Sequence, residues 1–377
     1  MAPALRYPIA RPSLPPLDRV SGEMERGWAA GQVTSGKAVR SFEAAVERKL
    51  GVGHAVAVSS CTSGLMLAVK ALGITGEVIL PSFTFGATAH ALVWNGVTPV
   101  FCDSDPETLN LDPGDAAKRI TPRTSAIMPV AIFGVPCDVE AFGRLARRHR
   151  LRLLYDSAQA LGAKVGKRHV GTFGDAEVFS LSVSKVVTSI EGGIVTTNDG
   201  RLAERLRRLR DYGKARGGED MEFVGLSARM GEWNAVVGLL NLRRMREFIA
   251  FRKRLAALYR KRLSMLPGVR FQRIPDGLSS SWNYMVMFVD GTAGVTRDDL
   301  HRRLTREGIQ TRRYFFPAVH EMIAYRGIGR GRGGGFPVAE RVSRQGLALP
   351  LYEGLKESDV ERICGRIRAA FPVPGTR

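Results

Sequence analysis

Cysteine is scarce in this chain, with four in 377 residues. Cys61, Cys102, Cys137 and Cys364 are scattered, form no C-x-x-C pair and mostly sit in apolar or strand-like surroundings. That pattern argues against a disulfide framework, calls for no metal, and reads as reduced structural thiols. Long hydrophobic runs are missing too. No stretch approaches the roughly 18 apolar residues that span a bilayer, and residues 1–18 hold Pro and Arg without the apolar core of a signal peptide. The expectation is a cytoplasmic protein with no membrane partner. Acidic residues are in short supply, 36 against 56 Lys and Arg, leaving a formal net charge of +20. Such a surface attracts polyanions. The arginines, however, are spread over helix-like stretches at 201–210, 243–254 and 341–344, with no basic tail and no aromatic-basic motif. A solvated helix face accounts for them, so no nucleic-acid partner is expected, and a few arginines suffice for a small anionic substrate.

What is present is the composition of a folded globular protein, 44% hydrophobic and 24% charged, long enough for one large domain and a smaller one. Short apolar runs at 55–58, 77–80, 98–102, 125–130, 152–155, 176–181 and 193–197 read as strands. Helix-like stretches at 63–72, 85–96, 139–149 and 201–212 lie between them. This alternation predicts an α/β large domain with a mostly parallel central sheet covered by helices. Ligands of such sheets bind beyond the carboxyl ends of the strands. After a polar, Gly-rich loop at 214–220 the pattern changes to a long helix over 230–263, a strand at 284–289 and helices at 297–307 and 357–370. We divide the chain into a large domain, 1–250, and a smaller α+β C-terminal domain, 251–377. The Gly-rich run 327–335 reads as a mobile loop, not a phosphate cradle, because no strand leads into it and no helix is expected at once after it.

Three features carry possible chemistry. Lys185 closes Ser180-Leu181-Ser182-Val183-Ser184-Lys185 just before Glu191-Gly192-Gly193. Among small hydroxyl residues and apolar strands, burial would lower its pKa and free the amine as a nucleophile able to form a Schiff base; the alternative is a solvated surface lysine. Asp156 directly follows a strand, where a carboxylate needs a cationic or N–H partner. A protonated pyridine nitrogen is one such partner, and a simple turn cap before Ser157 and Ala158 is the alternative. Ser59-Ser60-Cys61-Thr62-Ser63-Gly64-Leu65 joins a strand to an apolar helix, offering N–H groups and hydroxyls to a phosphate or merely an N-cap. Together a Schiff-base lysine, an acid for a ring nitrogen and a phosphate site form the set that pyridoxal phosphate requires.

The segments Asp156-Ser157-Ala158-Gln159-Ala160-Leu161-Gly162, Gly171-Thr172-Phe173-Gly174-Asp175 and Glu191-Gly192-Gly193, with the lysine segment, resemble the DegT/DnrJ/EryC1/StrS family of sugar aminotransferases. So do Pro81-Ser82-Phe83-Thr84-Phe85-Gly86-Ala87-Thr88, Pro99-Val100-Phe101-Cys102-Asp103, Phe336-Pro337-Val338-Ala339-Glu340 and Leu349-Pro350-Leu351. The likeness runs from about residue 8 to residue 371, and the Asp156–Lys185 separation is typical of that family.

The resemblance implies a fold-type-I enzyme dependent on pyridoxal 5'-phosphate and a homodimer with shared active sites. It implies Lys185 as the Schiff-base lysine, Asp156 at the pyridine nitrogen, Gln159 near the phenolic oxygen, Thr62, Ser63 and Ser180 at the phosphate, and Phe85 stacked on the ring. Departures occur at Cys61, where relatives often have Gly, at Ser182 and Ala131, where they often have His, and at Ser227, where an Asn from the neighbouring subunit usually reaches the phosphate.

Residues 14–17, 87–96 and 312–317 resemble the branch that forms dTDP-4-amino-4,6-dideoxyglucose from dTDP-4-keto-6-deoxyglucose with L-glutamate as donor. Arg312 and Arg313 suit a diphosphate or a carboxylate, with solvated arginines as the alternative; Tyr314 and His320 are further candidates for the sugar pocket. A 3-keto sugar nucleotide or a keto-cyclitol of antibiotic biosynthesis is the other substrate class that the resemblance leaves open. A non-catalytic relic of the fold is the rival from a different class.

Overall fold

A computed structural model describes residues 5–328 and 334–372, with Arg26 described by its backbone alone. Its strands are β1 (His54–Val58), β2 (Glu77–Pro81), β3 (Thr98–Cys102), β4 (Thr124–Ile127), β5 (Arg152–Asp156), β6 (Lys164–Val165), β7 (Arg168–His169), β8 (Ala176–Ser180), β9 (Gly193–Thr197), β10 (Val269–Phe271), β11 (Leu278–Ser279), β12 (Met285–Val289) and β13 (Gly346–Leu349). Seven of them form one sheet in the order β1-β9-β8-β5-β4-β2-β3. The pairs from β3 through β8 are parallel, and β9 alone runs against its neighbours β8 and β1.

Both faces of this sheet are covered, which is why its strands read as continuous apolar runs. On β1, Val56 and Val58 point to the side of the helices Cys61–Ala71 and Gly200–Leu209, where Leu65, Ala68, Leu202 and Leu206 pack. Ala55 and Ala57 point the other way, onto Phe42 and Val46 of the helix Lys37–Leu50 and Leu242 and Met245 of the helix Glu232–Leu263. This period-two switch is the signature of strand geometry. One glycine sets the depth of a helix. A Cβ at Gly64 would lie 2.9 Å from Val178, 3.1 Å from Val58 and 3.2 Å from Val195, so its absence lets Cys61–Ala71 lie directly on β1, β8 and β9.

The C-terminal part holds the antiparallel sheet β10-β12-β13. Met285, Met287 and Val289 of β12 pack with Leu300, Leu304, Val360, Ile363 and Ile367, and with Leu255, Tyr259 and Leu263 of the long helix. Tyr7, near the chain start, joins this cluster. The division drawn at 250/251 thus falls inside one unbroken helix of 32 residues, about 48 Å long at 1.5 Å per residue.

Some sequence expectations shift. The strand expected over 125–130 keeps regular pairing only to Ile127: Met128 still donates to the Ile79 carbonyl and Pro129 accepts the Asp156 amide, but Pro129 has no N–H to give, and Val130 pairs with Asp156 as an isolated bridge. The helix expected over 85–96 is confined to Ala87–Val93. Of the Gly-rich run 327–335, residues 329–333 lie outside the described residues. A helix does follow it, Pro337–Gln345, and its first amides are already taken: Val338 and Ala339 donate to the Asp103 carboxylate at 3.1 and 2.7 Å. That helix start is capped by the protein itself.

Candidate active site

The parallel strands deliver their carboxyl ends to one edge, and Asp156 is the last residue of β5. Its side chain is buried, with 4% of the residue exposed. Thr88, in the helix after β2, donates its hydroxyl to one carboxylate oxygen at 2.7 Å, and the Ala158 amide donates to the other at 3.1 Å. The turn-capping reading is therefore correct, and the carboxylate has a second partner besides. Burial pushes this carboxyl above its ordinary value, opposed by the Thr88 and Ala158 donors and the Lys185 charge. A protonated ring nitrogen is the cation such a buried acid lacks at contact.

Lys185 lies in the turn between β8 and β9, and its amide donates to the Ser182 carbonyl at 3.0 Å. It is partly buried, so it is neither the enclosed lysine nor the solvated one of the two sequence readings. Its Nζ sits 5.5 Å from the ring centroid of Tyr284, whose hydroxyl is 3.2 Å from Ser184 Oγ. Burial pushes the Cys61 thiol up; Asp156 adds to this and Lys185 opposes it. Cys61, Asp156 and Lys185 therefore share one electrostatic neighbourhood.

Ser60 caps the helix Cys61–Ala71. Its hydroxyl accepts the Ser63 amide at 3.1 Å, and Ser63 Oγ accepts the Ser60 amide at 3.1 Å, a reciprocal capping box. The Ser63 hydroxyl also donates to the Ser60 carbonyl at 2.9 Å and lies 3.1 Å from Ser59 Oγ, so this expected phosphate contact is largely committed to the cap. Among the described residues the amides of Cys61 and Thr62, and the Thr62 hydroxyl, have no protein partner. A Cβ at Gly193 would fall 2.7 Å from the backbone of Ser60 and Cys61, so glycine there brings β9 against the helix start. Ser180 is 8% exposed and its hydroxyl has only long contacts, 3.4 Å each, donating to the Ser182 hydroxyl and accepting the Ser182 amide. Free amides, a spare hydroxyl and the positive end of a helix dipole are a donor set that suits a phosphate, and with Asp156 and Lys185 nearby these residues fit pyridoxal phosphate.

Gln159 is buried, and its side-chain oxygen accepts the Phe133 amide at 2.9 Å, which leaves its NH2 group as the donor end. Phe85, 62% exposed, touches Phe315 at 6.5 Å between centroids. A cleft of about 630 Å³ brings Phe85 and Thr84 together with Arg312, Arg313 and Tyr314. A larger groove of about 1260 Å³ lies at the amino ends of β5 and β8, away from all of these residues.

Within the cleft the two arginines differ. Among the described residues Arg312 has no ion pair, whereas Arg313 pairs with Asp298 at 3.5 Å and lies over Phe316. His320 is turned into the protein: Nδ1 meets Ser82 Oγ at 2.5 Å, Nε2 is 3.4 Å from Glu340, and the ring packs on Phe336. Those contacts remove it from the sugar-pocket candidates. Ser227 is exposed, in a segment bridged to Asp211. Ala131 is buried in the core beneath the site.

Thr88 and Tyr284 were not singled out from the sequence. Thr88 was within reach, since it stands in the segment 81–88 that resembles the family. Tyr284 had no local signal, because its partner is about a hundred residues away in the chain.

The profile of the DegT/DnrJ/EryC1/StrS aminotransferase family matches residues 19–368. GDP-perosamine synthase of Caulobacter vibrioides is 36% identical over 95% of this chain and 96% of its own. A dTDP-4-amino-4,6-dideoxy-D-glucose transaminase of Escherichia coli is 33% identical over 94% of this chain and 96% of its own. The solved structure of DesI in the presence of its TDP-sugar product superposes with a TM-score of 0.91 at 39% identity, covering 98% of this chain and 93% of that one. With a whole-length match of this kind on the same α/β fold, the chain belongs to the DegT/DnrJ/EryC1/StrS aminotransferase family and is a pyridoxal-phosphate-dependent sugar aminotransferase.

Proposed function

We propose that the enzyme moves the amino group of L-glutamate to dTDP-4-keto-6-deoxyglucose, giving dTDP-4-amino-4,6-dideoxyglucose. The observation that carries this reading is the likeness, along nearly the full chain, to a protein solved with its TDP-sugar product and to dTDP-4-amino-4,6-dideoxy-D-glucose transaminases. A GDP-linked keto sugar is the second reading, favoured by the likeness to GDP-perosamine synthase.

In this reading Lys185 holds the cofactor covalently. Asp156 faces the pyridine nitrogen, Gln159 offers its NH2 group to the phenolic oxygen, and Phe85 packs on the ring. Thr62, Ser180, the free amides of Cys61 and Thr62, and Ser63 as far as its cap allows, hold the phosphate. Ser227 of a second copy completes the set, which makes the working unit a homodimer. When bound, pyridoxal phosphate supplies the sink for the electron pair released as the substrate C–H bond breaks.

The chain's own residues do the rest. Asp156, fixed by Thr88 and Ala158, keeps a negative charge where the ring nitrogen holds its proton. Lys185 would be the base whose Nζ takes up the proton of the donor C–H bond and gives it back in the reverse sense in the second half of the reaction. Arg312, which among the described residues has no ion pair, meets the substrate's anionic group. Glutamate leaves as 2-oxoglutarate before the keto sugar enters, a ping-pong order. We place the enzyme's site of action in the cytoplasm; among the described residues no helix is long and apolar enough to cross a membrane.

The test is to incubate purified protein with L-glutamate and matched dTDP- and GDP-linked 4-keto-6-deoxy sugars, and to identify the products by mass spectrometry and NMR. Amination of the dTDP sugar in strong preference to the GDP sugar supports the first reading. The reverse preference transfers the case to the second, and amination of neither refutes both.

A further inference from the structure

Resting on the reading of Lys185 as the cofactor lysine, one question concerns what holds its amine once that covalent bond is released. A lysine side chain has four rotatable bonds and samples many rotamers when free, yet a base must stand within reach of the carbon it serves. Its own turn anchors only the backbone, through the Ser182 carbonyl. Among the described residues no carboxylate lies within ion-pair distance of Nζ, and the contact made by the amine is with the face of Tyr284.

Tyr284 is well fixed for that task. Its hydroxyl meets Ser184, and its ring packs edge-on against Tyr314 at 5.0 Å and Phe133 at 6.3 Å. The residue before it, Asn283, accepts the Val186 amide at 3.2 Å. Ser184 and Val186 flank Lys185, so both neighbours of the lysine are tied to the two residues that lead into β12 of the C-terminal part. We propose that Tyr284 is the positioning residue of Lys185, holding the released amine against its ring and hydroxyl so that the same lysine can serve as the base in both halves of the reaction.

Electrostatics agree with this geometry. Burial pushes the Tyr284 phenol up, but the Lys185 charge and the Ser184 hydroxyl pull it further down, leaving it below its ordinary value. The neighbouring Tyr314 phenol moves the opposite way through burial and the charge of Tyr284. The other titratable or charged groups around the pair are Asp156 and Cys61 on the lysine side, and the buried Arg252, which donates to the Asn283 and Leu351 carbonyls.

The experiment compares Tyr284→Phe, Tyr284→Leu and Ser184→Ala, with Lys185→Ala as control. Amine-selective acetylation of the cofactor-free protein at one fixed pH, read by peptide mass spectrometry, gives the rate at which the Lys185 amine reacts. The rate is expected to rise roughly threefold in Tyr284→Leu, which loses the ring and hydroxyl that hold the amine. In the loaded enzyme kcat is expected to fall roughly 10-fold with the glutamate KM within about twofold. Smaller changes in the same direction are expected in Tyr284→Phe and Ser184→Ala.

An unchanged acetylation rate and kcat in a folded Tyr284→Leu protein overturns the proposal. If that variant does not fold, unchanged values in the other two overturn it. Failure of the underlying reading shows separately: a Lys185→Ala protein that keeps the visible absorption of covalently held cofactor refutes the role of Lys185 itself.

Discussion

Glu177, on β8 with Tyr155 of β5 as its register partner, is a buried carboxylate that the proposed chemistry does not use, and it offers a sharp test of the electrostatics inside the sheet. Its oxygens accept the Gly171 and Phe173 amides, each at 2.8 Å, and the Ser157 hydroxyl at 2.8 Å. Burial raises its pKa from 4.5 to about 7, with the Phe173, Ser157 and Gly171 donors opposing.

A carboxyl raised on folding is protonated more often in the folded chain than in the unfolded one. Its contribution to stability is therefore complete below about pH 4.5 and is lost as the pH rises through about 7. Between about pH 5 and about pH 8.5 the loss comes to about 2.5 kcal/mol. Glu177→Gln keeps the acceptor for Gly171 and Phe173, and the Ser157 hydroxyl can rotate to accept from the new NH2 group. The variant has no charge to bury, so its stability relative to wild type should improve by that amount over the same range. For a chain of this size the improvement is about 3 °C in Tm. Thermal melts of both cofactor-free proteins at closely spaced pH values check it. A Tm difference that stays flat with pH, or grows toward acid, refutes the assignment.

Removing the Asp156 charge with Asp156→Asn should leave the Tm of the cofactor-free protein unchanged or raised, because burial disfavours that charge. It should also lower kcat by roughly 10²-fold or more and shrink the Tm gain on adding the cofactor; melts with and without cofactor, and steady-state rates, check this. Gly193→Ala places a Cβ 2.7 Å from the backbone of Ser60 and Cys61, which cannot yield as a side-chain end could. A loss of about 1–3 kcal/mol is expected, with weaker cofactor binding by fluorescence titration. Arg312→Ala should raise the KM for the sugar nucleotide or for glutamate with stability within about 0.5 kcal/mol of wild type. Arg313→Ala, which breaks its exposed pair with Asp298 and its contact over Phe316, should change either KM far less.

The site was legible in the sequence where its parts are local. Asp156 at a strand end and Ser60 to Ser63 at a helix start announce themselves through a few consecutive residues, and both carry the contacts that such positions imply. The same local logic left open whether Ser63 caps or binds, and the structure gives its hydroxyl to the capping box. Arg312 and Arg313 are neighbours of one chemical type that no sequence pattern separates. Asp298, placed by the helix Arg297–Arg306, pairs with one and not the other. His320 suited a polar pocket by type, but Ser82 and Glu340 from elsewhere in the chain claim both its ring nitrogens.

By itself the sequence determined the βα alternation, the cofactor lysine and acid as candidates, and the family, because short-range periodicity and motif order are carried by neighbouring residues. The tertiary structure decided what those residues meet. Gly64 and Gly193 seat one helix start against the strands, Thr88 reaches Asp156 from the segment after β2, and Tyr284 reaches Lys185 from the C-terminal part. These are contacts between distant segments, and close packing of the sheet and its helices, not local preference, brings their side chains into range.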